Sequence, residues 1–164
     1  MIVDDLTILA IVVPLIGGFL TPLMGMLGRK VGNPKIRDYF ALLVSLITIG
    51  FMFFIGRAVI GQGQMLTYGL AGRMAPWGIN LAVDAFAFLA GVIGSSITLV
   101  AVVYSIGFME RSSGLDKYYL LLLIMSAGMI GVSFTGDIFN LYVFFEIMSL
   151  TSYGLVAYYR DGKA

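Results

Sequence analysis

The sequence predicts an all-α integral membrane protein with five transmembrane helices. Hydrophobic residues make up 60% of its 164 residues and charged residues only 12%, and the mean hydropathy is +0.99. A soluble domain needs more polar residues than this to cover its surface. The apolar residues also fall into five blocks, and each block meets or approaches the length of about 20 residues that crosses a hydrocarbon core.

The charges that bound the blocks set the limits of the helices. We place the five spans, in one transmembrane domain covering 1–164, at residues 6–27, 39–60, 81–106, 118–135 and 138–159. Asp4 and Asp5 precede the first block, where a cleaved signal would carry positive charge, so we count this block as a span. It contains Pro14 and Pro22, which membrane helices tolerate because neighbouring helices satisfy the freed carbonyls.

The segments between the spans differ in length. The second span contains Arg57 near its end, close enough to the boundary for the side chain to reach the headgroups. Residues 61–80 form the longest connection, and we interpret them as an interfacial loop or strand pair anchored by Trp77. The turn around Gly136 and Asp137 is so short that the fourth and fifth helices must be antiparallel neighbours.

The Lys and Arg residues predict the orientation of the chain. Only Arg57 and Arg73 of the ten basic residues lie on one side of the predicted topology. The others follow the first, third and fifth spans: Arg29, Lys30, Lys35, Arg37, Arg111, Lys117, Arg160 and Lys163. Because cytoplasmic loops carry an excess of Lys and Arg, we expect an external N-terminus and a cytoplasmic C-terminus in a multi-pass plasma-membrane protein.

The composition also limits the chemistry of the chain. It has no Cys and no His, which argues against disulfides, zinc centres, protein-ligated haem and a Ser-His-Asp triad. The net charge of +1 provides no basic field for a nucleic acid. We therefore expect no cofactor, no metal, no nucleic-acid partner and no catalytic chemistry of its own.

The fifth span contains one isolated carboxylate, Glu146. It lies nine residues after Asp137 and fourteen before Arg160, so its short side chain cannot reach the headgroups at either end. A charged group at a helix centre costs about 2.5 kcal/mol or more on insertion scales, and such groups usually face a bundle interior or a water-filled path. We predict that Glu146 relays protons or cations.

Hydroxyl groups share the helix face of Glu146. At about 100° per residue, Tyr142, Ser149 and Tyr153 project close to it and form a polar stripe. Such hydroxyls can hydrogen-bond the carboxylate, orient it and hold water, as a proton relay requires. The alternative is a permanently protonated Glu146 that hydrogen-bonds a neighbouring helix only to fix packing.

Three other charged residues are weaker candidates. Asp84 opens the third span and Asp137 precedes the fifth, and at such positions a carboxylate can accept hydrogen bonds from the free amides of a helix N-terminus. Capping is the favoured interpretation for both, although Asp137 could also collect protons at the outer mouth. Lys117 begins the fourth span, either as an ordinary cytoplasmic flank or as a group facing a channel entrance.

One segment carries a family resemblance. Residues 135–155 read TGDIFNLYVFFEIMSLTSYGL, and supporting features are Val83-Asp84 at the entry to the third span and Pro14-Leu-Ile-Gly-Gly in the first. The segment resembles the fourth-to-fifth helix signature of the antiporter-like subunits shared by respiratory complex I, Mrp-type cation/proton antiporters and membrane-bound hydrogenases. It is most similar to the D-type member of the Mrp antiporters.

This resemblance implies a partner for Glu146. The glutamate matches the family's fifth-helix acid, which pairs with a lysine on the seventh helix in the proton path. Family members are roughly three times longer and contain two inverted five-helix repeats. We therefore expect an N-terminal fragment or split subunit that works with other membrane subunits, including a chain supplying the remaining helices and the lysine, and with lipid.

Two functional hypotheses follow. In the first, the chain belongs to a transport subunit, and Glu146 contributes to proton or sodium translocation coupled to a redox partner or to cation/proton exchange. In the second, the chain is a structural or assembly subunit, and Glu146 is a buried hydrogen-bonding residue with no transport role. A carboxylate serves either ion, so the sequence does not distinguish protons from sodium.

Overall fold

The five apolar blocks form five helices. The computed structural model describes residues 2–69, 80–109 and 114–158, with side chains from Asp5 onward. The helices are α1 (Ile2–Val31), α2 (Ile36–Val59), α3 (Ala85–Phe108), α4 (Leu115–Phe134) and α5 (Ile138–Ala157). All five are long and apolar enough to cross a membrane. The predicted all-α fold class, with five helices that can span a membrane, is therefore confirmed.

The start of the third helix differs from the prediction. Strand β1 (Leu66–Gly69) pairs antiparallel with strand β2 (Asn80–Val83), so residues 81–83 belong to a hairpin and not to the helix. Leu81 and Val83 are fully buried, which explains why the apolar run gave no sign of a boundary there. α3 begins at Ala85, because Asp84 accepts a hydrogen bond from the amide of Ala87 at 2.8 Å.

α4 is the centre of the bundle. It packs against α1, α3 and α5, while α2 packs against α1 and α3. Tyr119, Leu123, Ile130 and Phe134 of α4 are fully buried. Helices α1 to α4 therefore form a closed group of four, and α5 lies outside this group against α4.

α5 approaches α4 closely through small residues. A Cβ atom at Gly128 would lie 3.0 Å from the backbone nitrogen of Met148, and one at Gly131 would collide with the ring of Phe144. Gly128 and Gly131 therefore allow the close packing of these two helices. Even so, only 11% of the apolar window of α5 is buried within the chain, compared with 56% for α4. Most of α5 thus faces outward.

Several residues used to predict the topology lie outside the described residues. They include the predicted end of the fifth span at residue 159 and these side chains: Arg73, Trp77, Arg111, Arg160 and Lys163. The orientation of the termini remains a prediction from the charge distribution.

Candidate ion-translocation site

Glu146 lies on the outward face of α5. It is the ninth of the 20 residues of this helix, and it is exposed in the chain. The opposite face of α5 contacts α4 through Phe144 and Met148. Within residues 2–69, 80–109 and 114–158, no hydrogen bond or ion pair reaches the Glu146 carboxylate. The chain itself therefore leaves this carboxylate without a partner inside those ranges.

The predicted polar stripe shares this face. Tyr142 and Tyr153 are 66% and 69% exposed, and Ser149 is half-buried. We expected these hydroxyls to hydrogen-bond Glu146, but the described part of the chain contains no such bond. Both tyrosines are directed away from the bundle, so their hydroxyls can reach water or a group on another helix.

Asp137 has the geometry of a helix cap. Its carboxylate accepts hydrogen bonds from the Asn140 amide at 2.8 Å and from the Asn80 amide at 3.2 Å. The Asn140 side chain donates a third bond, at 2.5 Å. Burial raises the pKa of Asp137, but these hydrogen bonds outweigh it and hold the pKa below its usual range. Asp137 is therefore ionised at neutral pH.

The two remaining candidates are exposed. Asp84 caps α3, as described above, and Lys117 lies in the first turn of α4, where its amide donates to the carbonyl of Gly114 at 2.9 Å. A role for Lys117 at a channel entrance stays a prediction. Across the described ranges, no three His, Cys, Asp or Glu side chains are grouped so as to hold a metal ion.

A shallow depression lies beside the α4–α5 turn. It has a volume of about 310 Å³ and is lined by Val132, Thr135, Gly136, Asp137, Ile138 and Leu141. The only acid among these residues is Asp137, and both of its carboxylate oxygens already accept hydrogen bonds.

A cluster of ion pairs that the sequence did not predict lies at the other end of the bundle. Asp116, in the first turn of α4, accepts a hydrogen bond from Arg29 of α1 at 2.7 Å and one from Arg37 of α2 at 2.9 Å. Arg37 also pairs with Asp38 at 3.0 Å. The sequence showed these residues only as flanking charges, because Arg37 and Asp116 are 79 residues apart.

The same cluster reaches the bundle interior through Tyr119. The Arg37 guanidinium lies 5.9 Å from the centroid of the Tyr119 ring, within the range of a cation–π contact. The Tyr119 hydroxyl accepts a hydrogen bond of 3.0 Å from Ser105 of α3. The cluster thus links α1, α2, α3 and α4, but it contains no residue of α5.

Comparison with known proteins finds relatives among the subunits of antiporters and respiratory complexes. It is 32% identical over 153 residues to the D-type subunit of the Na(+)/H(+) antiporter of Bacillus subtilis, a match that covers 93% of this chain and 30% of that protein. It is 37% identical over 99 residues to the N-type subunit of the NADH-quinone oxidoreductase of Desulforudis audaxviator, a match that covers 59% of this chain and 20% of that protein. No protein-family model matches the chain.

A solved structure has the same fold. A chain of the membrane-bound sulfane sulfur reductase, an archaeal respiratory membrane complex, superposes with a TM-score of 0.80 at 29% sequence identity. The match covers 93% of this chain and 30% of that chain.

These findings define a multi-pass membrane protein whose relatives are subunits of membrane complexes. The resemblance to antiporter-like membrane subunits that the sequence suggested is confirmed by these relatives. The chain spans between a fifth and a third of the length of the relatives described above, at 20% and 30%.

Proposed function

We propose that this chain contributes to ion translocation in a multisubunit membrane complex, with Glu146 as the relay residue for protons or sodium ions. The observation that carries the proposal is an ionisable side chain at mid-span, on a helix face that the described part of the chain leaves uncovered. The similarity to a Na(+)/H(+) antiporter subunit over 93% of the chain supports it.

The energetics of the bilayer favour a protein or water environment for this face. A carboxylate directed into hydrocarbon is costly, and ionisable groups within membrane spans almost always face protein or water. The chain covers 30% of the length of the antiporter relative. We infer that helices outside these 164 residues cover the Glu146 face. One of these helices would bring the lysine that the family resemblance implies.

The stripe on α5 suggests how an ion would move. Glu146 would bind and release a proton, and Tyr142, Ser149 and Tyr153 would hold water along the helix on either side of it. A sodium ion could instead be held by the carboxylate together with hydroxyl and water oxygens, since hard cations prefer oxygen ligands. Coupling to a redox reaction or to cation/proton exchange would come from partner subunits.

The test replaces Glu146 by Gln in the assembled complex. This change keeps the size of the side chain and its hydrogen-bonding groups but removes the titratable charge. Proton and sodium uptake are measured in vesicles, and assembly is checked by native gel electrophoresis. We expect translocation to fall at least about tenfold while assembly stays normal, as is typical for loss of an essential proton-transfer group.

Two other results would contradict the relay. Normal translocation by a normally assembled Glu146→Gln complex would exclude a transport role. Failure of the variant to assemble, with Glu146→Asp also failing, would instead favour the structural or assembly subunit. Measuring sodium uptake with the proton gradient collapsed distinguishes the two ions.

A further inference from the structure

The α4–α5 turn is joined to the hairpin by backbone contacts. The amide of Gly136 donates a hydrogen bond of 2.8 Å to the carbonyl of Asn80, and Leu81 pairs with Thr135 as an antiparallel bridge. The turn therefore lies beside β2 and is joined to it by a single β-bridge. This contact connects residues that are far apart in the sequence, since Asn80 and Asp137 are separated by 57 positions.

Asp137 extends this connection into α5. One carboxylate oxygen accepts from the Asn140 amide in the first turn of α5, and the other accepts from the Asn80 amide in β2 and from the Asn140 side chain. Asn140 is only 4% exposed and Asp137 is half-buried, so these bonds are partly buried. A single carboxylate thus binds both the hairpin and the helix that carries Glu146.

α5 has few other restraints within the chain. Its only extensive packing among the described elements is against α4, and 11% of its apolar window is buried. Part of this contact is made over Gly128 and Gly131, where Met148 and Phe144 of α5 lie close to the backbone of α4, so the hairpin contact at the first turn is the other restraint on the helix. Glu146 lies about 13 Å along the helix from Asp137, at 1.5 Å per residue, and follows any shift of the first turn.

We propose that Asp137, held by Asn80, is a positioning residue that sets the depth and rotation of α5 and thereby the place of Glu146. The expected effect of Asp137 on transport rests on the proposed function, whereas its effect on the position of α5 does not. The geometry also favours the capping interpretation of Asp137 over proton collection at the depression beside it, since three hydrogen bonds already engage its carboxylate oxygens.

The first test measures the position of α5 without measuring transport. The chain has no Cys, so a single Ser149→Cys in the complex reports the exposure of the Glu146 face through its rate of maleimide labelling. We expect Asp137→Ala to change this rate by roughly threefold or more, because the helix end is released. An unchanged rate would overturn the proposal.

A matched control removes a cap that has no contact with α5. Asp84 caps α3 as Asp137 caps α5, through the amide three residues later. We expect Asp84→Ala to leave the labelling rate of Ser149→Cys unchanged. An equal change in both variants would show a general loosening of the fold and would contradict a specific role for Asp137.

The second test replaces the hydrogen bonds by a covalent link. A Cβ atom at Gly136 would lie 3.2 Å from the Cβ atom of Ala82, so Ala82→Cys with Gly136→Cys needs a small shift to reach the spacing of about 3.5–4.5 Å found in disulfides. In the Asp137→Ala background, we expect a loss of transport of about tenfold before oxidation, since small misplacements reduce such rates strongly. Oxidation should restore it.

The outcomes separate this proposal from the proposed function. A loss of transport that the disulfide does not restore would mean that the carboxylate itself is needed, and would overturn the positioning role. If transport does not depend on Glu146, the proposed function fails, but the labelling experiment still decides whether Asp137 positions α5.

Discussion

Asp116 has two arginine partners, whereas Glu146 has none within the described ranges. The side chains of Arg37 and Asp116 are 10% and 19% exposed, so most of their hydration is replaced by mutual contacts. Removing one member of such a pair leaves the other charge without compensation, which costs more than the net value of the pair. Partnered acids of this kind stabilise the fold, while an unpartnered acid at mid-span is a candidate for function.

The Asp116 cluster gives a prediction for stability. Asp116→Ala should lower the free energy of unfolding by about 2–3 kcal/mol, because Arg37 loses one of its two carboxylate partners in a partly buried site. Arg29 is 55% exposed, so Arg29→Ala should cost under about 1 kcal/mol. Thermal unfolding in detergent measures both variants, and equal losses would contradict this assignment.

The hydrogen bonds of Asp137 give a prediction for pH dependence. Its pKa is lower in the folded chain than in the unfolded chain, so its stabilising effect is complete above the unfolded pKa. The effect is lost as the pH falls through the folded pKa. Asp137→Ala should therefore lower stability by about 1 kcal/mol near pH 7, and by progressively less as the pH falls below the usual pKa of an Asp carboxyl. Melting curves of the unchanged protein and of Asp137→Ala, recorded at each pH, test this prediction. A difference in stability that does not change with pH would be inconsistent with it.

Among the helices, α5 is held in a different way from the others. α1 to α4 bury apolar side chains against one another, whereas the buried residues of α5 are Asn140 and Thr151, and the helix lies close to α4 at Gly128, beside the Met148 backbone, and at Gly131, beside the Phe144 ring. Backbone contact is sensitive to side-chain size, since a clash with backbone atoms cannot be relieved by a rotamer change. The position of the Glu146 face therefore depends on two small residues of α4 and on the hairpin contact at the helix end.

Substitution of Gly128 tests this packing. Gly128→Val should separate α5 from α4, because its Cβ would lie 3.0 Å from the Met148 nitrogen, and should cost about 1–3 kcal/mol. Gly107→Ala is a matched control, since a Cβ there meets nothing within 4 Å. It should leave the unfolding temperature unchanged or slightly raised. Tolerance of both changes would show that α5 does not need the close approach.

At the scale of the whole molecule, hydrophobicity determined what could be predicted. The five helices and the antiparallel α4–α5 pair followed from the lengths of the apolar blocks and of their connections. Strand β2 was assigned to a helix because Leu81 and Val83 continue the apolar run into a buried hairpin. The Asp116 cluster was not foreseen, because it exists only when α1, α2 and α4 pack together.

The orientation of the molecule can be tested with the same cysteine-free background. The distribution of Lys and Arg predicts that Lys30 is cytoplasmic and that Gln62, after α2, is external. In intact cells, an impermeant maleimide should label Gln62→Cys and spare Lys30→Cys until the membrane is opened. The reverse pattern would show that the positive-inside rule fails for this chain.

The central claim is that Glu146 changes its protonation or ion binding during transport. Infrared difference spectroscopy of the assembled complex, recorded with and without turnover, detects the carboxyl groups that change state. We expect a carboxyl signal that appears during turnover of the complex with Glu146 and is absent from the Glu146→Gln complex. An identical difference spectrum in the two complexes would contradict the claim that Glu146 is the relay.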